Sequence, residues 1–178
     1  MTKLVGYREG VELFRFPNPV NEVSARLVAF FVVILAATTI AFDVEWLTLV
    51  LAYGFVARVL TGPTLSPLGQ LVTRVLTPRL ALEPRYVPGP PKRFAQGIGA
   101  AFSLTAVLLT YGFDQFGAAQ WVLGALLVAA SLEAFAGYCL GCKGFALLMR
   151  AGVIPASVCE DCNDIWRRVD AVSAGSPV

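Results

Sequence analysis

Four cysteines are the residues of this chain best equipped for chemistry. They form two C-x-x-C pairs, Cys139 with Cys142 and Cys159 with Cys162, inside the stretch GYCLGCKGFALLMRAGVIPASVCEDCN, with sixteen residues between the inner two. Each pair brings two sulfurs close enough to make one edge of a metal site or to close a disulfide. Two pairs at this separation match the C-x₂-C…C-x₂-C zinc pattern, in which four thiolates complete a tetrahedral shell. Zinc held by Cys139, Cys142, Cys159 and Cys162 is therefore the leading expectation. The rival is two redox dithiols in relay, with Cys139 and Cys142 as the catalytic thiols. There a helix terminus or Lys143 lowers one thiol pKa, and a disulfide passes from pair to pair by exchange. Glu160 and Asp161, inside the second pair, disfavour its thiolates and make the two pairs chemically unequal. Iron, as a rubredoxin-like centre or a cluster, is permitted by ligand type and gains no further support. The chain contains no histidine. That excludes His-based acid–base catalysis, His-ligated haem and mixed Cys/His metal sites.

The elements that must position these cysteines are membrane elements. Hydrophobic residues make up 57% of the 178 residues and charged residues 15%, and mean hydropathy is +0.69. A soluble domain carries about 25% charged residues. A water-soluble fold of this size has nowhere to bury so much apolar surface, so the chain reads as one all-α, polytopic membrane domain. No cleavable signal is expected, because about twenty polar or mixed residues precede the first apolar run.

Residues 1–22 read as a cytoplasmic arm in which Pro17 and Pro19 block regular helix. Apolar runs then predict four transmembrane helices, at about 23–42, 46–62, 93–113 and 118–140. Arg26 is near enough to the start of the first to snorkel, and Trp46 and Trp121 suit membrane interfaces. Between spans two and three, Leu65, Leu68, Leu71, Val72, Val75 and Leu76 recur at helical spacing and predict a surface helix. The Pro-rich segment Pro84 to Pro91 reads as a spacer. Gly97, Gly99 and Ala100 are small enough to let a neighbouring helix approach. Residues 141–178 form a cytoplasmic segment that carries the four-cysteine site and a short amphipathic helix, Phe145 to Met149.

All fourteen Lys and Arg fall toward one side of this scheme, and the two hairpin tips carry only Asp43, Glu45 and Asp114. The positive-inside rule then places both termini in the cytoplasm and the chain in a bacterial inner membrane. Both C-x-x-C pairs would face a reducing compartment, where a merely structural disulfide is not expected to persist. Two ionisable residues sit within apolar runs, Arg58 and Glu133, at matching depths of about 18 and 21 Å from the outer ends of their helices. An unpaired charge there is costly, so an intramembrane ion pair between them is expected, with a proton relay beneath Cys139 as the functional alternative.

The segments GPTLSPLGQLVTRVLTPRL, KRFAQGIG and EAFAGYCLGCKGFALL, with RFAQ-x-x-G and F/Y-C-L-G-C as their most specific pieces, resemble in order and spacing an uncharacterised bacterial family of small membrane proteins. The resemblance runs from about Asn18 to Met149. Members of that family stand beside thioredoxin-like proteins and rhodanese-type sulfurtransferases, which implies thiol or sulfur chemistry at Cys139 and Cys142. The expected function is an accessory or interaction protein of the membrane with a zinc-binding four-cysteine site. The alternative is a thiol–disulfide or sulfur-relay protein serving a thioredoxin-fold partner. Membrane lipid and a protein are the expected partners; nucleic acid is not.

Overall fold

A computed structural model describes Phe16, residues 18–80 and 85–155, Val158 and Cys159. Most of the amino-terminal arm, and Glu160, Asp161 and Cys162, lie outside the described residues. The described residues are mostly helical, with an antiparallel pairing of two-residue strands, β1 (Val20–Asn21) and β2 (Tyr86–Val87).

Helix α1, Glu22–Ala41, starts where the Asn21 side chain accepts the Val23 N–H at 3.0 Å. Its apolar residues lie all round rather than on one stripe, as expected of a helix with lipid on one side and protein on the other. α2 is Leu47–Thr61, 15 residues or about 22 Å long. Among the described residues, three helices are long and apolar enough to cross a membrane: α1, α4 (Gly89–Gly112, whose last turn is π-helical) and α5 (Phe116–Ala136). α2 is apolar and shorter. Between α2 and α4 the expected surface helix is present as α3. It runs from Pro67–Gln70 through a π-helical stretch, Leu71–Leu76, into Thr77–Arg79. α6 is Leu140–Arg150.

Two boundaries differ from the sequence reading for identifiable reasons. α4 begins at Gly89, not near residue 93, because Pro90 and Pro91 occupy its first turn. Proline is well suited there, since the first N–H groups of a helix have no intrahelical acceptor to lose. The expected spacer is thus partly helix, and it carries Lys92 into the bundle. α5 stops at Ala136 instead of continuing to residue 140, because Gly137 takes a left-handed conformation (φ 65°) that ends the helix.

Both hairpin tips are built on an aspartate with positive φ, Asp43 (53°) and Asp114 (52°), a conformation aspartate tolerates better than most residues. The tips lie at the same end of the bundle, where Gln120 Nε2 donates to Asp43 Oδ1 at 2.6 Å. α1 packs chiefly on α5 and α2 on α4, while α4 joins the two halves by also contacting α5 and α6. The core is rich in alanine, with Ala36, Ala100, Ala106, Ala119 and Ala130 beside Val32, Leu51, Phe55, Leu123 and Leu126. Small residues let helix backbones approach closely where lipid supplies no hydrophobic drive. Gly99 shows this directly: a Cβ there would sit 2.2 Å from the Phe55 ring, whereas a Cβ at Gly97 would meet nothing within 4 Å.

The end opposite the tips is held by arginines on helix carboxy-termini. Arg26 donates to the carbonyls of Ala134 (3.2 Å) and Phe135 (3.0 Å), and Arg93 donates to Val59 O (3.0 Å). Those terminal carbonyls lack intrahelical partners and carry the negative end of the helix dipole. Arg26 therefore caps α5 instead of snorkelling away from the protein.

Candidate functional site

Gly137 turns the chain out of α5, and two residues later Cys139 starts α6 as its N-cap, with extended backbone angles (φ −85°, ψ 102°). The position usually falls to Ser, Thr, Asp or Asn, whose oxygen accepts an N–H of the first turn. Here the Cys139 sulfur accepts the Cys142 N–H at 3.3 Å. The C-L-G-C spacing produces this directly, because it places the second cysteine at the third helical position. The glycine between the cysteines has a packing role. A Cβ on Gly141 would fall 2.5 Å from Ala95 Cβ, so α6 lies against α4, and the Phe94 and Phe145 rings, 5.6 Å apart, continue that contact.

Cys139 and Cys142 are both free thiols, the first buried and the second half-buried. The Cys142 thiol, donating a hydrogen bond to the Cys139 sulfur, is the main reason the Cys139 pKa is lowered; Lys92 and the Cys142 N–H add to it, against burial and the charge of Glu133. Donating that same bond pushes the Cys142 thiol up, and burial and the neighbouring sulfur push it further. The pair is therefore polarised: Cys139 is the more acidic thiol and Cys142 the one that holds its proton more strongly.

Lys92 and Glu133 lie next to the sulfurs. The Lys92 Nζ sits 2.7 Å from Glu133 Oε1, with both side chains largely buried. The expected direct pair between Arg58 and Glu133 is not formed. Glu133 pairs with Lys92, which the early start of α4 brings into its reach. Arg58 instead donates from Nε to Gln96 Oε1 (3.0 Å) and from Nη1 to Ser66 Oγ (3.3 Å), with its guanidinium 4.6 Å from the Phe55 ring centroid. Arg58 and Glu133 nevertheless line one cavity of about 280 Å³, and Cys139 lines it with them. Sequence reasoning missed Lys92, Gln96 and Ser66. The signal for Lys92 was G-P-P-K, with prolines that open a helix rather than exclude one.

Among the described residues, no three of Cys, Asp and Glu gather as a metal-binding group. Cys159 is buried, and Cys162, needed for a four-thiolate shell, lies outside the described residues. What the described residues bring together is Cys139, Cys142, Lys92 and Glu133.

Compared with known proteins, residues 20–150 match the family model described as Domain of unknown function (DUF4395). No curated protein and no solved structure matches the chain.

Proposed function

Because the chain belongs to the DUF4395 family, whose description assigns no activity, its function has to be read from its own residues, and we propose that it is a membrane-embedded thiol–disulfide protein whose Cys139 and Cys142 alternate between dithiol and disulfide. The observation that carries this reading is the Cys142 N–H on the Cys139 sulfur at the start of α6. A sulfur at a helix N-terminus, hydrogen-bonded by the second thiol of a C-x-x-C pair and close to a lysine, has what lowers a thiol pKa and makes it a good leaving group.

The exchange follows from the polarisation. With the pair oxidised, a partner's thiolate attacks the more accessible Cys142 sulfur. A partner–Cys142 disulfide forms, the Cys139–Cys142 bond breaks, and the electron pair leaves on Cys139, the better leaving group. The partner's second thiol then attacks its own bridged sulfur and releases Cys142, which takes up a proton. The net result is a reduced pair and an oxidised partner. Resemblance to a family found beside thioredoxin-like and rhodanese-type proteins supports a thioredoxin-fold partner. The one-sided basic residues support four membrane-crossing helices in a bacterial inner membrane, with both termini and the dithiol on the cytoplasmic side. Zinc shared by both cysteine pairs is the competing reading and rests on their spacing alone.

A test uses the full chain, oxidised, in mild detergent, mixed with a thioredoxin whose second active-site cysteine is serine. The expected product is a mixed disulfide mapped by mass spectrometry to Cys142 and absent in Cys142→Ser. Linkage only at Cys159 or Cys162, or at no cysteine, would overturn the reading.

A further inference from the structure

A dithiol that cycles must hand its electrons on, and a cavity lined by Cys139 lies beside the pair. Resting on the dithiol reading above, we infer that this cavity binds a lipid-soluble quinone, which oxidises the Cys139–Cys142 pair. The cavity, about 280 Å³, is enclosed by residues of α1, α2, α4 and α5 and by the first residues of α6. That is near the lower end of small-molecule sites, about 300–1,000 Å³, and suits one ring with the root of a chain.

Three features select a quinone over a plain acyl chain. The walls are apolar or aromatic, with Phe55 and Phe102 available to a flat ring. A few donors interrupt them. Arg58, only 6% exposed, lines the cavity together with Gln96. Its Nη2 has no hydrogen-bond partner among the described residues, although no fully buried side-chain nitrogen or oxygen there is left unpartnered. Arg58 also lines two neighbouring cavities, and in this assignment its amino group donates to a quinone carbonyl oxygen held in the one beside Cys139. The charges also favour reduction. Arg58 and Glu133 line the cavity, and the Glu133 carboxylate is already paired with Lys92, which does not line it, so the Arg58 cation is left to stabilise electron-rich reduced quinone. Access is from the side: Ile98, Ala125 and Leu140 belong to the lining and are also exposed on the outer surface of the bundle, where lipid would lie.

The step balances. The Cys139 and Cys142 thiols lose two electrons and two protons and form one S–S bond, and the quinone takes up both electrons and both protons to become the quinol. Cys139 faces the cavity and Cys142 does not line it. The first sulfur therefore serves the membrane acceptor, and the second remains for the protein partner.

The experiment takes reduced full-length protein in lipid nanodiscs under anaerobic conditions. It compares decylubiquinone with water-soluble glutathione disulfide, reading quinone reduction by absorbance and thiols by mass spectrometry. The wild type should reduce one quinone for each Cys139–Cys142 disulfide formed. Ala129→Phe, which fills the cavity, should slow quinone-driven oxidation at least about tenfold while leaving oxidation by glutathione disulfide unchanged. Oxidation by glutathione disulfide but not by the quinone would overturn the quinone inference and leave the dithiol reading standing. Equal quinone rates in wild type and Ala129→Phe would place the reaction outside the cavity and overturn the site. Failure of both oxidants to close the disulfide would remove the dithiol reading and this inference with it.

Discussion

Two sulfurs three residues apart differ because only one of them caps a helix. Cys139 accepts the first-turn N–H and the neighbouring thiol's proton, while Cys142 supplies both. The sign of the pH dependence follows. A lowered pKa keeps Cys139 ionised below the ordinary thiol range, and its thiolate is lost only as pH falls through the lowered value. Alkylation of Cys139 by iodoacetamide, read by peptide mass spectrometry, should therefore stay fast at a pH where free cysteine has slowed. Cys142→Ala removes the largest contribution and should shift the Cys139 profile to higher pH. Lys92→Met should shift it in the same direction, because it removes a stabilising cation and leaves the Glu133 charge unopposed. Profiles that ignore both substitutions would show that the polarisation is not what sets reactivity. At this scale the cysteines were legible, because their spacing alone puts both on one turn. Lys92 was not, since a lysine after two prolines reads as loop until the prolines are recognised as a helix start.

Among elements, the bundle is fastened by a buried ion pair and by glycines whose missing Cβ lets helices touch. Lys92 of α4 and Glu133 of α5 form the pair. Removing one partner of such a pair costs about 3–5 kcal/mol, because a charge is left alone in a low dielectric, whereas removing both costs far less than the sum. Lys92→Met, Glu133→Gln and the double variant, unfolded in mild detergent, should show that non-additivity. Additive losses would mean the groups do not interact. A second contrast separates two glycines that look equivalent in sequence. Gly99→Ala should destabilise by about 1–3 kcal/mol through its clash with Phe55, and Gly97→Ala should stay within about 0.5 kcal/mol. Equal effects would contradict the described α2–α4 packing. The membrane helices were readable from their apolar runs. Which small residues lie at the contact was not, because that depends on helix rotation, and a helix apolar all round does not declare its rotation. The Arg58–Glu133 expectation failed for a related reason: matching depth does not specify which faces meet.

For the whole molecule, hairpin tips at one end and arginine-capped helix ends at the other give the bundle two chemically different faces. The arginines that hold helix carboxy-termini gather at the end opposite the tips, which is the end proposed as cytoplasmic by the positive-inside rule. With the native cysteines replaced, single cysteines placed at Asp114 and at Tyr86 should be labelled by an impermeant maleimide from opposite sides of sealed vesicles; labelling from one side would refute the four-crossing arrangement. Overall helicity and the membrane setting were plain from composition, whereas the cavity shared by Cys139, Arg58 and Glu133 is a product of five helices meeting and has no linear signature. The measurement that bears most directly on the central claim is a redox titration of the full chain in nanodiscs across glutathione buffers, with alkylation and mass spectrometry reporting Cys139 and Cys142. Reversible conversion between dithiol and a disulfide within the pair, with a midpoint between about −270 and −180 mV, is the predicted result. Thiols that remain alkylatable at the oxidising end, or zinc retained by all four cysteines and lost with any one of them, would contradict it.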